Sequence, residues 1–462
     1  MEAKGSETTI LDPAWAWARY EPSVERPWKL AWAGHLFRRA GFGATWAQLQ
    51  DALAAGPHKT IDGLLHPGPD AAAFNRTHDD YEASAATGQS ADGLAAWWLR
   101  RMVTSPHPLF ERMTLFWHGY FGISNTHVEN AELMLRHIRL LRGEALGSFG
   151  AMLQAIPHDP AVLLCLGSAT NRKSAPQHGL ARALMHNYTL GPGLFCDADV
   201  EGASLAFTGW FVLRGKVKYI ELEHDERAKL ILGQQGNFDA ANVIDILLKH
   251  PGTSKTIVRA LYRWFISETE EPTEELIAPL AESFTVDYDI AKLTETILRS
   301  NLFFSPAAYR QRVKSPVDYA VGMARSLEAL IPTQQIHKDL AGLGQRLYHP
   351  PTVEGFVGGR YWINDASLAG RHNLADAMLH GAEPYGNKLN PWAVAQRHQC
   401  ASASSAAKFL VDLFLQDDLG REQRAALLDA AHGVAAPGAD REDVTLRRFT
   451  HSLATLAEFN LA

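Results

Sequence analysis

Two histidines and an arginine recur at helical spacing in the segment QHGLARALMHNYTLGPG, residues 177–193. His178, Arg182 and His186 are each four positions apart, which places them along one stripe of an α-helix. An imidazole with a pKa of about 6.5 can accept or release a proton at neutral pH, and a guanidinium can hold an anionic group. The stripe could therefore perform proton transfer. The alternative is the solvated face of a packing helix.

Three further polar clusters could contribute to a site. Arg38 and Arg39 lie in HLFRRAGFG and could hold an anionic group through bidentate hydrogen bonds, although ion pairing with acidic loops is the alternative. His224 precedes Asp225, whose carboxylate could orient and charge the imidazole, although such pairs also occur in turns. His118 shares a helix face with a glutamate seven residues earlier, but a matching Glu-x-x-His pair from another helix is missing, because the pair Glu221 and His224 lies in the expected hairpin. We therefore predict no metal site.

The sequence lacks the strong motifs of cofactor chemistry. It contains no P-loop, no HExxH, no GxSxG and no glycine fingerprint after a strand, so we predict no cofactor. The segment GFVGGRYW, residues 355–362, has three glycines but no strand before it. A tight loop packed by aromatic side chains is favoured there over a phosphate cradle.

Helical periodicity dominates the elements that must position these residues. A regular run of apolar residues at helical spacing extends over residues 242–300, with Pro, Gly or N-cap residues between the segments. Ser174 is the expected cap of the helix that carries the stripe, and the glycines at 191–193 end it. The segment 214–226 alternates around a glycine and predicts one small hairpin.

The predicted class is all-α, a large multi-helix bundle-like domain with at most one small β-hairpin. Residues 1–34 are expected to form an N-terminal arm that packs on the core. The remainder is expected to form a single large helical domain over 35–462, with central motifs at 107–225, late motifs at 300–373 and C-terminal helices at 404–460.

Composition indicates a globular protein and excludes several functions. The 462 residues are 46% hydrophobic and 21% charged, with a net charge of −7. No basic tract is present, so we expect no nucleic-acid partner, and no apolar run is long enough to span a bilayer, so we expect no membrane partner. Three widely separated cysteines and the lack of a signal-peptide pattern predict a cytoplasmic location.

Four tryptophans cluster near the N-terminus. They are Trp15, Trp17, Trp28 and Trp32. Such aromatic side chains can pack on the protein's own core or on another subunit. The cluster therefore predicts a place where a partner protein or a second copy of the chain could dock.

Five segments, taken in order, resemble the bacterial family known as domain of unknown function 1800. They are HLFRRAGFGAT, PLFERMTLFWHGYFGIS, LARALMHNYTLGPG with DADVEGASLAFTGW, SNLFFSPAAYRQRVKSPVDY, and GQRLYHPPTVEGFVGGRYWIN. Together they extend from about residue 35 to 380. The resemblance implies a helical fold and brings no established activity.

The departures from the family pattern fall on its charged centre. Family members carry carboxylates on the central helix where this chain has His178, Ala183 and His186. The second histidine of the tryptophan–histidine helix is replaced by Tyr120. The resemblance therefore implies that the stripe faces inward, with imidazoles in place of carboxylates.

Two hypotheses for the function follow. The first is a cofactor-independent enzyme that performs histidine- and arginine-assisted proton transfer on a small anionic, amide or ester substrate, in a biosynthetic pathway. The second is a non-catalytic binding or assembly protein that kept the scaffold and lost the family's carboxylates. For the enzyme, the predicted catalytic residues are His118, His178, Arg182, His186, His224 and Asp225, and the predicted substrate-binding residues are Arg38, Arg39 and Tyr120.

Overall fold

A computed structural model of the chain describes residues 11–88, 90–432 and 439–462. Within these ranges the chain forms twenty-five α-helices, one π-helix and two small antiparallel hairpins. The predicted all-α class is confirmed. In the same ranges, no helix is both long and apolar enough to cross a membrane.

The N-terminal half builds the first thirteen helices. Helices α1 to α9 are Pro13–Trp17, Leu30–Ala40, Trp46–Ala55, Pro57–Leu65, Ala71–Thr87, Ala91–Thr104, Pro108–Phe121, Asn125–Val128 and Ala131–Gly143. Helices α10 to α13 are Phe149–Ala155, Pro160–Cys165, Gly179–Ala183 and Asp197–Ala206. The π-helix, Leu184–Thr189, continues α12 directly.

The second half of the described chain adds twelve further helices. Helices α14 to α19 are Ala240–Lys249, Pro251–Phe265, Glu274–Phe284, Ile290–Arg299, Pro316–Ser326 and Thr333–Gly342. Helices α20 to α25 are Asp365–Leu379, Pro391–Arg397, Ala403–Leu415, Arg421–His432, Ala439–Thr455 and Ala457–Asn460. Short 3-10 turns occupy Ile156–His158, Glu221–Glu223 and Gly359–Trp362.

Two hairpins lie between α13 and α14, one more than the sequence predicted. Strand β1 (Trp210–Leu213) pairs with β2 (Lys216–Tyr219), and β3 (Lys229–Ile231) pairs with β4 (Gln234–Gly236). Both two-residue loops have positive φ at each central residue, the geometry of a type I′ turn. The second hairpin escaped prediction because strands of three residues are too short to show alternation.

The helices enclose one contiguous cluster of buried apolar side chains that runs from Ala16 to Phe459. Several guanidinium groups are also buried in it. Arg39 donates hydrogen bonds to the carbonyls of Ile266 (2.8 Å) and Ala308 (2.7 Å). A cation at the last carbonyls of a helix is favourable, because those carbonyls have no partner within the helix. Arg39 thus fixes the end of α15, and the residues that follow this end contribute to the candidate site described below.

The N-terminal tryptophans pack largely against the protein itself. Trp17 donates to the Leu276 carbonyl at 2.6 Å, and Trp28 donates to the Ala52 carbonyl at 3.0 Å. Trp15 is the exception, with 40% of its surface exposed. Helix α2 crosses the predicted boundary between residues 34 and 35, and residues 1–10 of the predicted arm lie outside the described ranges. The division into arm and domain remains a prediction.

The helix that carries the histidine stripe differs from its prediction at the start and in the middle. It begins at Gly179 rather than after Ser174, because Asn171 Oδ1 accepts a hydrogen bond from the Gln177 N–H (2.8 Å) and holds the preceding residues in a turn. At Leu184 it changes to the π-helix, whose turns are wider than those of an α-helix. The four-residue spacing therefore no longer keeps the three side chains on one face.

Residues 352–359 form a loop, here called the glycine loop, that lies directly on α7. Gly355 adopts a φ of +85°, and a Cβ there would overlap the carbonyl oxygen of Gly119. Gly122, at the end of α7, has a φ of +61°, and a Cβ there would lie 2.5 Å from the carbonyl oxygen of Val353. Glycine is required at both positions by conformation and by space.

Substitution of Gly355 tests this contact. We expect Gly355→Ala to lower the free energy of unfolding by about 2 kcal/mol or more, because the left-handed conformation and the backbone overlap both oppose a side chain. Urea denaturation measures the change. Gly342→Ala is the control, since a Cβ there meets no described atom within 4 Å. Equal stabilities of the two variants would contradict the tight packing of the glycine loop on α7.

Candidate functional site

A groove of about 890 Å³ opens between α7, the π-helix, α15 and residues 354–362. Its walls combine aromatic rings with charged side chains. The charged residues are Arg259, Arg263, Glu268, Glu271, Arg312, Glu354 and Arg360, and the aromatic residues are Phe116, Tyr120, Trp264, Phe356, Tyr361 and Trp362. Concave sites with a few converging polar groups are where small ligands bind proteins.

Glu268 is the most enclosed acidic side chain in the groove, with 14% of it exposed. It follows the C-terminal end of α15, and its Oε1 accepts a hydrogen bond of 2.6 Å from the Val313 N–H. Its Oε2 lies 4.0 Å from Nε of Arg312. A Cβ on Gly358 would lie 3.3 Å from Oε2, so bare glycine backbone makes room for the carboxylate.

The surroundings of Glu268 change its protonation. Burial raises the pKa of this carboxyl from 4.5 to about 7, against the opposing effects of the Val313 N–H and the Arg39 charge. At neutral pH both the acid and the carboxylate are therefore populated. A carboxyl group with such a pKa in a groove can both accept and donate a proton.

Arg312 is held beside Glu268 by an aromatic ring and a buried ion-pair network. Its guanidinium carbon lies 3.9 Å from the centre of the Trp264 ring, and that of Arg112 lies 4.4 Å from the same centre. Arg112 forms a fully buried ion pair with Asp318, whose Oδ2 is 3.7 Å from Arg312. These contacts fix a cation at the groove floor, 4.0 Å from the Glu268 carboxylate.

The other arginines of the groove differ in how free they are. Arg259 pairs with Glu274, and Arg263 pairs with Glu271. Arg360, in the segment 354–362 that lines the groove, is exposed, and its side chain forms no ion pair or hydrogen bond with any residue that the structure describes. Arg360 is therefore available to bind an anionic group of a ligand.

The groove contains two of the residues predicted from the sequence. His186, on the π-helix, is exposed in the wall, with Nδ1 3.2 Å from Oδ1 of Asn187. Tyr120 donates its hydroxyl proton to the Tyr188 carbonyl at 3.0 Å, and burial raises its pKa far above 10. Tyr120 is thus a neutral hydrogen-bonded phenol in the wall.

The rest of the stripe faces outward, so the expectation that it faces inward was wrong. His178 pairs with Glu201 at 2.5 Å, and Arg182 pairs with Asp197 at 3.1 Å. The side chains of His178 and Arg182 are 47% and 56% exposed. Both partners lie on α13, and neither of them lines the groove. The change to π-helical geometry is what separates His186 from them.

The remaining predicted residues lie outside the groove. His118 is completely buried, and its Nε2 accepts a hydrogen bond from the Tyr348 N–H at 3.1 Å. Burial lowers its pKa to about 3, so this histidine is neutral. His224 donates to the Thr208 carbonyl from Nδ1 at 2.9 Å, which orients it within the hairpin region.

Asp225, Arg38 and Arg39 are buried structural groups in this fold. Hydrogen bonds from Arg227 lower the pKa of Asp225 and hold its carboxylate within the hairpin region. Arg38 donates to Gln416 Oε1, and Arg39 donates to the backbone carbonyls described above. None of the three lines the groove. Among the described residues, no three His, Cys, Asp or Glu side chains are arranged to hold a metal ion.

Comparison with known families decides what kind of protein carries this groove. Residues 35–461 match a family described as "Protein of unknown function (DUF1800)". The chain belongs to the DUF1800 family. The match confirms the resemblance of the sequence motifs and includes all groove residues named above. No curated protein and no solved structure matches the chain. Any activity of this DUF1800 member has to be argued from its groove.

Sequence reasoning missed Glu268, the central acidic group of the groove in this DUF1800 chain. It lies in ISETEEP, which resembles a solvated acidic loop. Nothing in the sequence shows that residues 311–313 and 358–359 cover it. The available signal is the glycine pair of GFVGGRYW. It predicts a packed loop, and in the structure it also leaves room for the Glu268 carboxylate.

The raised pKa of Glu268 predicts a pH-dependent effect of Glu268→Gln on stability. Below pH 4.5 the carboxyl is protonated in both the folded and unfolded chain, and the variant should match the wild type. Between pH 4.5 and 7 the carboxyl ionises in the unfolded chain but stays largely protonated in the folded chain. The free energy of unfolding of the wild type should therefore fall below that of the variant as the pH rises. The difference should reach about 3 kcal/mol above neutral pH.

Urea denaturation at a series of pH values measures this difference. Glutamine can still accept the Val313 hydrogen bond, so the comparison isolates the charge. The control is Glu271→Gln, which changes an exposed carboxylate of the same groove and should give no comparable pH-dependent gain. A Glu268→Gln variant with the same pH profile as the wild type would show that Glu268 is ionised at an ordinary pKa.

Proposed function

We propose that the groove is the active site of a cofactor-independent enzyme that transfers protons to or from a small substrate with an anionic, amide or ester group. The observation that carries the proposal is the placement of Glu268. Its carboxyl group sits at the floor of a groove, with one oxygen fixed by a backbone N–H and the other beside bare glycine backbone. Such a group can meet a substrate directly.

Glu268 and the charged residues around it would have different roles in the reaction. Glu268 would accept a proton from the substrate as a carboxylate and return it as an acid, so that it is regenerated in each cycle. Arg312, at 4.0 Å from Glu268, would stabilise negative charge that develops next to the proton-transfer site. Arg360, exposed in the segment 354–362, would bind the anionic end of the substrate. His186 would act from the rim as a second proton carrier.

A ligand screen tests the binding half of this proposal. Small carboxylates, amides and esters are added to the purified protein, and the melting temperature is measured. We expect a subset of anionic compounds to raise it. Arg360→Ala should weaken that rise about tenfold in ligand concentration, because one charge-assisted contact contributes about 1.5 kcal/mol or more. Arg182→Ala, which removes an exposed arginine outside the groove, should leave it unchanged.

Conversion of any bound compound tests the catalytic half. We expect Glu268→Gln to bind the compound while its turnover falls about 100- to 10,000-fold, the usual contribution of a general acid–base group. NMR of the mixture detects the product. In the wild type the rate should depend on a group with a pKa of about 7, and the variant should lose that dependence.

The outcomes separate the two original hypotheses. Binding that is lost in Arg360→Ala but is never followed by conversion would favour the non-catalytic binding protein. A ligand whose effect survives Arg360→Ala, Glu268→Gln and His186→Ala would bind elsewhere and would refute the groove as the site.

A further inference from the structure

A second, much smaller cavity lies between α2, α18 and α22, away from the walls of the groove. Its volume is about 20 Å³, enough for a single water-sized particle. Two cationic side chains line it, Arg38 with 5% and Lys314 with 6% of their surface exposed. Buried cations of this kind are stable only when an opposite charge or hydrogen-bond acceptors compensate them.

Neither cation is fully compensated by the described part of the chain. Arg38 donates from one terminal nitrogen to Gln416, and its guanidinium carbon lies 5.5 Å from the centre of the Tyr309 ring. Its Nε and second terminal nitrogen are buried without a hydrogen-bond acceptor among the described residues. Lys314 forms no ion pair with any residue in the described ranges, and its Nζ lies 3.7 Å from the centre of the Phe459 ring. A ring face stabilises an ammonium only partly when water is excluded.

Among the described residues that line the cavity, Asp318 supplies the single carboxylate, and it is engaged elsewhere. It forms the buried ion pair with Arg112, and its Oδ2 accepts the Ser315 N–H at 3.1 Å and lies 3.7 Å from Arg312. Around the cavity, positive charge therefore exceeds negative charge. The nearby carboxylate of Asp418 is already paired with Arg310, so it adds no free negative charge.

We propose that this cavity binds a single monatomic anion of chloride size, held by the unpartnered nitrogens of Arg38 and by the ammonium of Lys314. A particle of this size fits the volume, and its charge balances the surplus. Burial and the neighbouring arginines lower the pKa of Lys314, and a bound anion would oppose that shift. The sequence prediction that Arg38 holds an anion would then apply to an inorganic ion rather than to a substrate.

The bound anion would stabilise the fold. Arg38 lies on α2 and Lys314 lies on the segment before α18, so one ion would join two segments that are distant in the sequence. Arg38 in turn donates to Gln416, which follows the last residue of α22. Stability should therefore depend on halide concentration. This inference is independent of the proposed enzymatic function, because neither Arg38 nor Lys314 lines the groove.

The test measures melting temperature in sodium chloride or sodium bromide against sodium gluconate at the same ionic strength. We expect a saturable rise of about 2–5 °C with either halide. Lys314→Met should abolish the rise. Lys229→Met is the matched control, because this buried lysine donates to the Asp225 carbonyl and to Asn237 and needs no anion; that variant should keep the rise.

Crystals of the wild-type protein grown in sodium bromide give a second measurement, which does not depend on whether the variants fold. The anomalous signal should show one bromide within about 3.5 Å of nitrogens from both Arg38 and Lys314. Equal melting temperatures in halide and gluconate, or a wild-type crystal without this peak, would overturn the proposal. The cavity would then hold water beside a neutral lysine.

Discussion

Buried guanidinium groups that donate to backbone carbonyls are the constraint on which this fold depends. Arg325 donates to three carbonyls at the C-terminal end of α6, and Arg447 donates to the carbonyl of the last residue of α20. Arg39 does the same at the end of α15 through Ile266. Each contact satisfies carbonyls that the helix leaves free and fixes where the chain goes next. The position of Glu268, two residues beyond Ile266, follows from the third contact.

Much of the fold could be predicted from local patterns, because helices and turns depend on nearby residues. The all-α class was predicted through periodicity, and the turn of the first hairpin was predicted at its glycine, although strand β1 lies before the predicted segment 214–226. The groove could not be predicted in the same way. Glu268 is enclosed by Val313 and Gly358, which are 45 and more residues away in the chain, and its pKa depends on that enclosure. Local sequence carries no trace of such contacts.

The histidine stripe shows how a small change in helical geometry redirects side chains. Spacing placed His178, Arg182 and His186 together, and the family resemblance suggested that they replace lost carboxylates. The π-helix instead sends His186 to the groove, while Glu201 and Asp197 from the region of α13 pair with the other two. The carboxylates that pair with this helix thus come from α13, and they contact its solvent-exposed side. One extra residue per hydrogen-bonded turn is enough to divide the stripe.

The contact of Gly355 with Gly119 determines how a ligand could enter the groove. At this contact the backbone of the glycine loop packs directly on the backbone of α7. Two walls of the groove are therefore held in a fixed relative position. Recognition would then occur in a slot that is already shaped before the ligand arrives, with little ordering of the chain to oppose binding. Selectivity in such a slot comes from complementary charge and shape at the moment of encounter rather than from a closing step that follows it.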